Sequence, residues 1–129
     1  MKRIEPNSTK KIYKVQYFMN VRMDRIEFSM GMLDIFLAGD FQYVDFFEHD
    51  GGLVFKPTID SGWKLSASKE RRKCDILRKG LVIHLKRYLG FMEPEFKMII
   101  NPIPNENGYY TVITRPISIK GQAKTSKLI

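Results

Sequence analysis

Residues 25–57 read Arg25-Ile26-Glu27-Phe28-Ser29-Met30-Gly31-Met32-Leu33-Asp34-Ile35-Phe36-Leu37-Ala38-Gly39-Asp40-Phe41-Gln42-Tyr43-Val44-Asp45-Phe46-Phe47-Glu48-His49-Asp50-Gly51-Gly52-Leu53-Val54-Phe55-Lys56-Pro57, and this stretch decides the fold. Arg25–Phe28 is a short strand. From about Met30 to Ala38 the apolar residues Met30, Leu33, Phe36 and Leu37 fall on one helical face, and Ser29 is placed to cap the first turn. Gly39 follows as a stop of the kind that takes a left-handed conformation at a helix end. Gln42 to Glu48 then meets the turn Asp50-Gly51-Gly52, and Leu53 to Lys56 returns as the second strand of a hairpin. Pro57 has no N–H for a ladder and marks where pairing stops.

The same order recurs downstream. Lys73-Cys74-Asp75-Ile76 is a strand, and a helix runs from roughly Gly80 to Leu89 with Leu81, Val82, Leu85 and Leu89 on one side. Gly90 ends it. Glu95 to Ile100 and Tyr109 to Thr114 flank Asn107-Gly108 as a second hairpin, closed by Arg115-Pro116. The pattern predicts two related units, 25–57 and 73–116, in one domain spanning 12–119. Lys14 to Met19 is a further strand, and Ser61 to Ser66 is a linking strand or loop. Residues 1–11 read as a mobile basic arm and residues 120–129 as a flexible C-terminal tail. The fold class is therefore a β-dominated α+β protein, a small barrel-like domain built from two strand–helix–hairpin units.

The chain has 129 residues, of which 43% are hydrophobic and 12% aromatic, enough to fold without covalent staples. One cysteine excludes an intrachain disulfide and a zinc site made of several cysteines. No apolar run reaches the length of a membrane span, and the first residues lack a signal-peptide core. The expectation is a reduced, soluble, cytoplasmic protein with no membrane partner.

Charge is segregated. The net +8 divides into +5 over residues 1–25, −6 over 26–63, +7 over 64–87 and +2 over 88–129. Two basic blocks flanking an acidic one make a directional field that attracts a polyanion to one face. The candidate nucleic-acid contacts are Arg22, Arg25, Lys69, Arg71, Arg72, Lys73, Arg78, Lys79, Lys86 and Arg87. Arg and Lys neutralise phosphates, and the planar forks of Arg71 and Arg72 suit bidentate contacts. Trp63, Tyr13, Tyr17 and Tyr88 would stack on bases where exposed. No aromatic strand motif of an RNA-recognition sheet is present, which favours duplex DNA over RNA.

Residues 25–57 also resemble the swapped-hairpin domain of AbrB- and MazE-like DNA-binding proteins. The resemblance rests on Arg25-Ile26-Glu27-Phe28, Leu33-Asp34-Ile35-Phe36-Leu37, Gly39-Asp40, Tyr43-Val44 and Gly52-Leu53-Val54-Phe55-Lys56-Pro57. It implies a barrel of two such units, here both within one chain as a pseudo-dimer, with operator DNA held by basic residues around the first strands. A double-psi barrel of two halves is the neighbouring arrangement. By position the resemblance makes Arg25 a DNA contact, and Lys73 the second if the units are duplicates. It further implies a role in transcription regulation.

Catalytic signals are sparse. His49, His84 and Cys74 are too far apart in sequence to suggest a metal cage, and no glycine-rich phosphate loop is present, so no cofactor and no metal are expected. Glu95-Phe96-Lys97 has the acid-x-lysine spacing of metal-dependent nucleases, with Asp75 as the second acid. The leading expectation is a non-catalytic DNA-binding protein of regulatory or accessory kind. The alternative is a protein–protein module, antitoxin-like or a phage accessory factor, using the acidic segment 26–63. A metal-dependent nuclease is the weaker alternative. A homodimer and a protein partner both stay open.

Overall fold

The computed structural model describes residues 15–113 and 115–119. The expected arm and tail lie outside the described residues. Ten strands and two helices are present among them: β1 (Phe18–Val21), β2 (Ile26–Phe28), α1 (Met30–Ala38), β3 (Tyr43–His49), β4 (Gly52–Thr58), β5 (Trp63–Lys64), β6 (Ser66–Ser68), β7 (Lys73–Ile76), α2 (Lys79–Leu89), β8 (Phe96–Ile99), β9 (Tyr110–Thr111) and β10 (Ile117–Ser118). They form two antiparallel sheets, one in the order β10-β8-β1-β2-β7-β6 and one in the order β5-β3-β4-β9.

Ser29 performs the expected capping and more. Its Oγ accepts from the N–H of Met32 and of Phe18 and donates to the Gln16 carbonyl, 2.9 Å away. One hydroxyl thus fastens the start of α1 to the segment leading into β1. Gly39 does not take the left-handed conformation expected of it; Asp40 does, with φ 55°. Asp is among the few residues that tolerate this region. The buried face of α1 is also turned from the expected one: Met32, Leu33 and Phe36 are buried, whereas Met30 and Leu37 are exposed. Helix α2 buries Leu81, Val82 and Leu85 as its periodicity predicts, and Gly90 ends it at φ 67°.

The first hairpin is a seven-residue ladder from Tyr43↔Thr58 to His49↔Gly52. The second departs from expectation. Strand β8 leaves to pair with β1, from Phe18↔Ile99 to Val21↔Phe96, while β9 pairs with β4. Among the described residues only Ile100 and Val112 bridge its two arms. The connection between them does not hold the arms in one ladder, since Pro102 and Pro104 donate no hydrogen bonds and Asn105 Oδ1 accepts from the Asn107 and Tyr109 N–H groups in a local turn, so long-range pairing decides the partners.

The expected barrel is not closed; the sheets meet at two corners instead. At one, the chain passes from β5 through Leu65 into β6, with the Leu65 N–H on the Gln42 carbonyl at 2.9 Å. At the other, Asn101 donates to Thr111 and Ile113 to Ile99, each at 2.9 Å. The regular ladders end at these points. Between the sheets lies one core with Phe55 near its centre, stacked on Tyr110 at 5.4 Å and in contact with Phe28 and Phe46. Phe28 meets Phe36 of α1 edge-on at 5.0 Å. No helix among the described residues is long and apolar enough to cross a membrane.

Candidate nucleic-acid interface

Strand alternation sorts the larger sheet into two faces. Met19, Val21, Ile26, Phe28, Cys74, Ile76, Phe96 and Met98 point into the core. The opposite face carries a row of directly paired residues: Lys97, Asn20, Glu27, Asp75 and Ser66. Phe18, Arg22, Arg25 and Lys73, each two residues along from a member of the row, share that face.

In the same sheet β2 and β7 pair with Ile26 opposite Ile76 and Glu27 opposite Asp75. Aligned by position, Arg25-Ile26-Glu27-Phe28 and Lys73-Cys74-Asp75-Ile76 place Glu27 and Asp75 at equivalent sites. The register is therefore symmetric about that pair. Antiparallel pairing sends the loop before β2 (22–25) and the loop before β7 (69–72) to opposite ends of the same two strands.

A cleft of about 550 Å³ lies over this pair. Arg25, Arg71, Arg72 and Lys73 line it, together with Asn20, Glu27, Asp75, Phe18 and Phe28. Its arginines come from both loops, and Lys73 and the acids come from the strands between. Arg72 holds a left-handed backbone, φ 52°, while the Arg71 N–H donates to Ser68 Oγ. An arginine in that region is uncommon and costs on the order of 1 kcal/mol. The loop thus takes a conformation that local preference does not supply, held by the Arg71 bond to Ser68 and by the Arg72 N–H on the Lys69 carbonyl.

Asp75 breaks the alternation. The residue is only 5% exposed although it belongs to the polar face, and it is the one charged residue buried among those described. Its Oδ2 lies 3.7 Å from Arg25, and its Oδ1 has no hydrogen-bond partner; nor has Asn20 Oδ1. Each such buried oxygen costs about 1–3 kcal/mol unless something donates to it. Burial pushes the thiol of neighbouring Cys74 up to about 12, with the Asp75 charge adding to the effect. That thiol is a core group.

The other sequence candidates are distributed differently. Arg22 is held by Glu27 at 2.8 Å and Glu95 at 3.3 Å. Arg25 also bonds Asp24; this bond and the Arg25 charge hold the Asp24 carboxyl below the usual range, and the Lys79 charge acts in the same direction. Lys79 therefore stands within electrostatic reach of the Arg25 end of the cleft. Arg78 precedes α2 and donates to the Leu77 carbonyl. Lys69 is exposed in the loop that carries Arg71. Lys86 and Arg87 occupy the last turn of α2, where cations complement the helix dipole, and Lys86 bonds the Pro94 carbonyl. About 10–12 Å of helix separates them from Lys79, and they do not line the cleft.

Among the aromatics, Tyr88 bonds the Gly52 carbonyl, Tyr17 is partly buried, and Tyr13 lies outside the described residues. Trp63 is 38% exposed but lines a different groove, with Phe46, Phe47 and His84. The nuclease triplet does not assemble. Asp75 and Lys97 are three strands apart, about 14 Å; Glu95 faces Arg22, and Lys97 lies over the Phe18 ring at 4.3 Å. Among the described residues no three His, Cys, Asp or Glu side chains gather as a metal site.

Sequence reasoning missed Asn20 and Glu27 and assigned Asp75 only to a metal. The available signal was the equivalence of Glu27 and Asp75 in the two units. Compared with protein-family models, curated proteins and solved structures, the chain matches none of them.

Proposed function

We propose that this chain is a non-catalytic DNA-binding protein of regulatory or accessory kind that docks the β2–β7 face on duplex phosphates. The observation that carries the reading is the convergence of Arg25, Arg71, Arg72 and Lys73 on one cleft from two segments distant in sequence. Exposed side chains on opposite faces would neutralise no common backbone. On one surface they can: Arg71, Arg72 and Lys73 take phosphates beside Arg25, which Asp24 and Asp75 engage, and each phosphate contact releases a counterion. The Arg72 backbone and the Arg71 bond to Ser68 support the same use by lowering the backbone part of the ordering cost on binding, while the exposed side chains still lose rotamer freedom.

The AbrB/MazE-like reading belongs to this proposal. It is supported by the order strand, helix, two strands in both units, by the β2–β7 register symmetric about Glu27 and Asp75, and by the pairing of β4 with β9, which sets one unit's hairpin against the other's last strand. In that reading the chain is an internal duplicate forming a pseudo-dimer of swapped-hairpin type.

The test is fluorescence anisotropy with a random-sequence duplex over a salt series. Binding that weakens steeply with salt is expected; absence of binding at low salt would sink the proposal. A second reading has one observation in its favour: Phe46, Phe47, Leu53 and Trp63 of the acidic half line an apolar groove of about 490 Å³ with Glu48 and His84 at hydrogen-bond distance, 2.8 Å. On this second reading the chain captures a protein in that groove, and duplex affinity is negligible even at low salt.

A further inference from the structure

Helix α2 is built against local rules. Its first turn holds no acidic residue, its N-cap Arg78 makes no side-chain cap, and Lys79 stands at the end where the helix dipole disfavours a cation. The dipole accounts for Lys86 and Arg87 in the last turn, but not for the two cations at the start. In the middle of the helix Ile83 is 41% exposed. At helical spacing its surface neighbours at i−4, i+3 and i+4 are Lys79, Lys86 and Arg87. One aliphatic side chain thus stands among three cations. Leu77 and Met92, just beyond either end of α2, are 52% and 68% exposed. From Ile76 to Met92 the chain carries Arg78, Lys79, Lys86 and Arg87 and no Asp or Glu; the first acid after the helix is Glu93. None of these four cations has a carboxylate at ion-pair distance among the described residues. The acids that approach α2 from other elements are already engaged, Asp24 by Arg25 and Glu48 by His84.

We infer that α2 seats this protein on an anionic lipid surface, with Ile83 entering the acyl boundary and Lys79, Lys86 and Arg87 lying at the headgroup phosphates. The charge of the face is complementary to an anionic leaflet, where each nearby Lys or Arg raises affinity about fivefold. Cations alone would suit any polyanion; the isoleucine between them selects the bilayer. Against a duplex backbone it would meet only phosphate and sugar. In a bilayer it leaves water, while the apolar stems of the neighbouring lysines and arginine follow it and their charged ends stay at the surface. A helix lying in the interface needs no membrane-spanning length, so the shortness of α2 is no obstacle. Its inner face, Leu81, Val82 and Leu85, stays on the core, and the helix binds as it is folded. Ile83, Lys79, Lys86 and Arg87 do not line the basic cleft, so the inference does not rest on duplex docking.

The full chain is sedimented with vesicles of phosphatidylcholine alone and with vesicles containing about one-third phosphatidylserine, over a salt series. Binding to the anionic vesicles is expected, weakening with salt and about tenfold or more tighter than to the neutral ones. Ile83→Gln puts a good helix former at an exposed position. It should lower affinity for the anionic vesicles about tenfold and leave duplex affinity unchanged. Lys86→Gln/Arg87→Gln should lower vesicle affinity about 25-fold, two charges at about fivefold each. Thermal melting checks that the variants fold; if either does not, the wild-type comparison of the two vesicle compositions decides. Equal binding to both compositions, no binding to anionic vesicles at low salt, or anionic binding that Ile83→Gln leaves unchanged overturns the inference. The duplex reading is untouched by those results and stands or falls on its own titration. Duplex affinity lost in both variants, with no vesicle bound, assigns α2 to nucleic acid and likewise overturns the lipid surface.

Discussion

Replacing Arg71 and Arg72 together by glutamine should change how steeply duplex affinity depends on salt. Each neutralised phosphate contributes about 0.9 to the slope of log K against log salt. Of the four basic residues lining the cleft, Arg25 is already engaged by Asp24 and Asp75, which leaves Arg71, Arg72 and Lys73. Three contacts give a cleft contribution of about −2.7, and the double variant removes about 1.8 of it. Contacts elsewhere in the chain cancel in this difference. Between 50 and 200 mM salt the wild type should therefore lose about 12-fold more affinity than the variant. The assay is anisotropy with a random duplex at four or more salt concentrations, with Lys86→Gln/Arg87→Gln as the control pair. These two remove the same charge from the far end of α2. An unchanged slope in the Arg71/Arg72 variant, with a reduced slope in the control, would refute the cleft as the docking surface and move the interface to α2.

Phe55→Ala removes the ring that meets Phe28, Phe46 and Tyr110; a loss of about 3–5 kcal/mol is expected, read as a fall in denaturant midpoint with unchanged m. Gly31→Ala gains helix propensity of about 1 kcal/mol, yet its Cβ would lie 2.5 Å from the Gln16 carbonyl oxygen. The net effect should be destabilising, and a rise in melting temperature would contradict the packing of α1 on residues 15–17. Cys74 should resist alkylation in the folded protein and react on unfolding. Its thiol ionises near the ordinary 9 when unfolded and about 12 when folded. The folded state thus retains a proton that the unfolded state gives up, so stability is full below about pH 9 and falls as pH rises toward 12. The slope from this one group is about 1.4 kcal/mol per pH unit. Cys74→Ala should flatten that alkaline fall in urea titrations, against a lower starting stability from the cavity.

Local signals made the elements legible. Ser29 and Gly90 bound their helices because capping chemistry is a matter of a few adjacent residues. Asp50-Gly51-Gly52 placed the first hairpin because its register is set by the turn. The second hairpin misled. Asn107-Gly108 is a real turn, but the partners of β8 and β9 are set by strands far away in sequence, and no local pattern encodes a choice between β1 and β9. The face of α1 was misread for a related reason: Met30 and Leu37 fit the helical period as well as Met32 does, and which side meets the core depends on where the sheets lie.

The site divides in the same way. Arg25, Arg71, Arg72 and Lys73 were legible as charge, since composition alone separates basic blocks from acidic ones. Their meeting was not, because it follows from the antiparallel pairing of β2 with β7 across nearly fifty residues of chain. Nor could the sequence distinguish Asp75 from any other acid on a strand. Only the tertiary structure buries it between two loops and leaves an oxygen without a donor. By itself the sequence determined which residues carry charge, which turn and which are apolar, as those properties belong to single side chains and their neighbours. The tertiary structure decided which of them share a surface, because proximity across a sheet depends on long-range pairing.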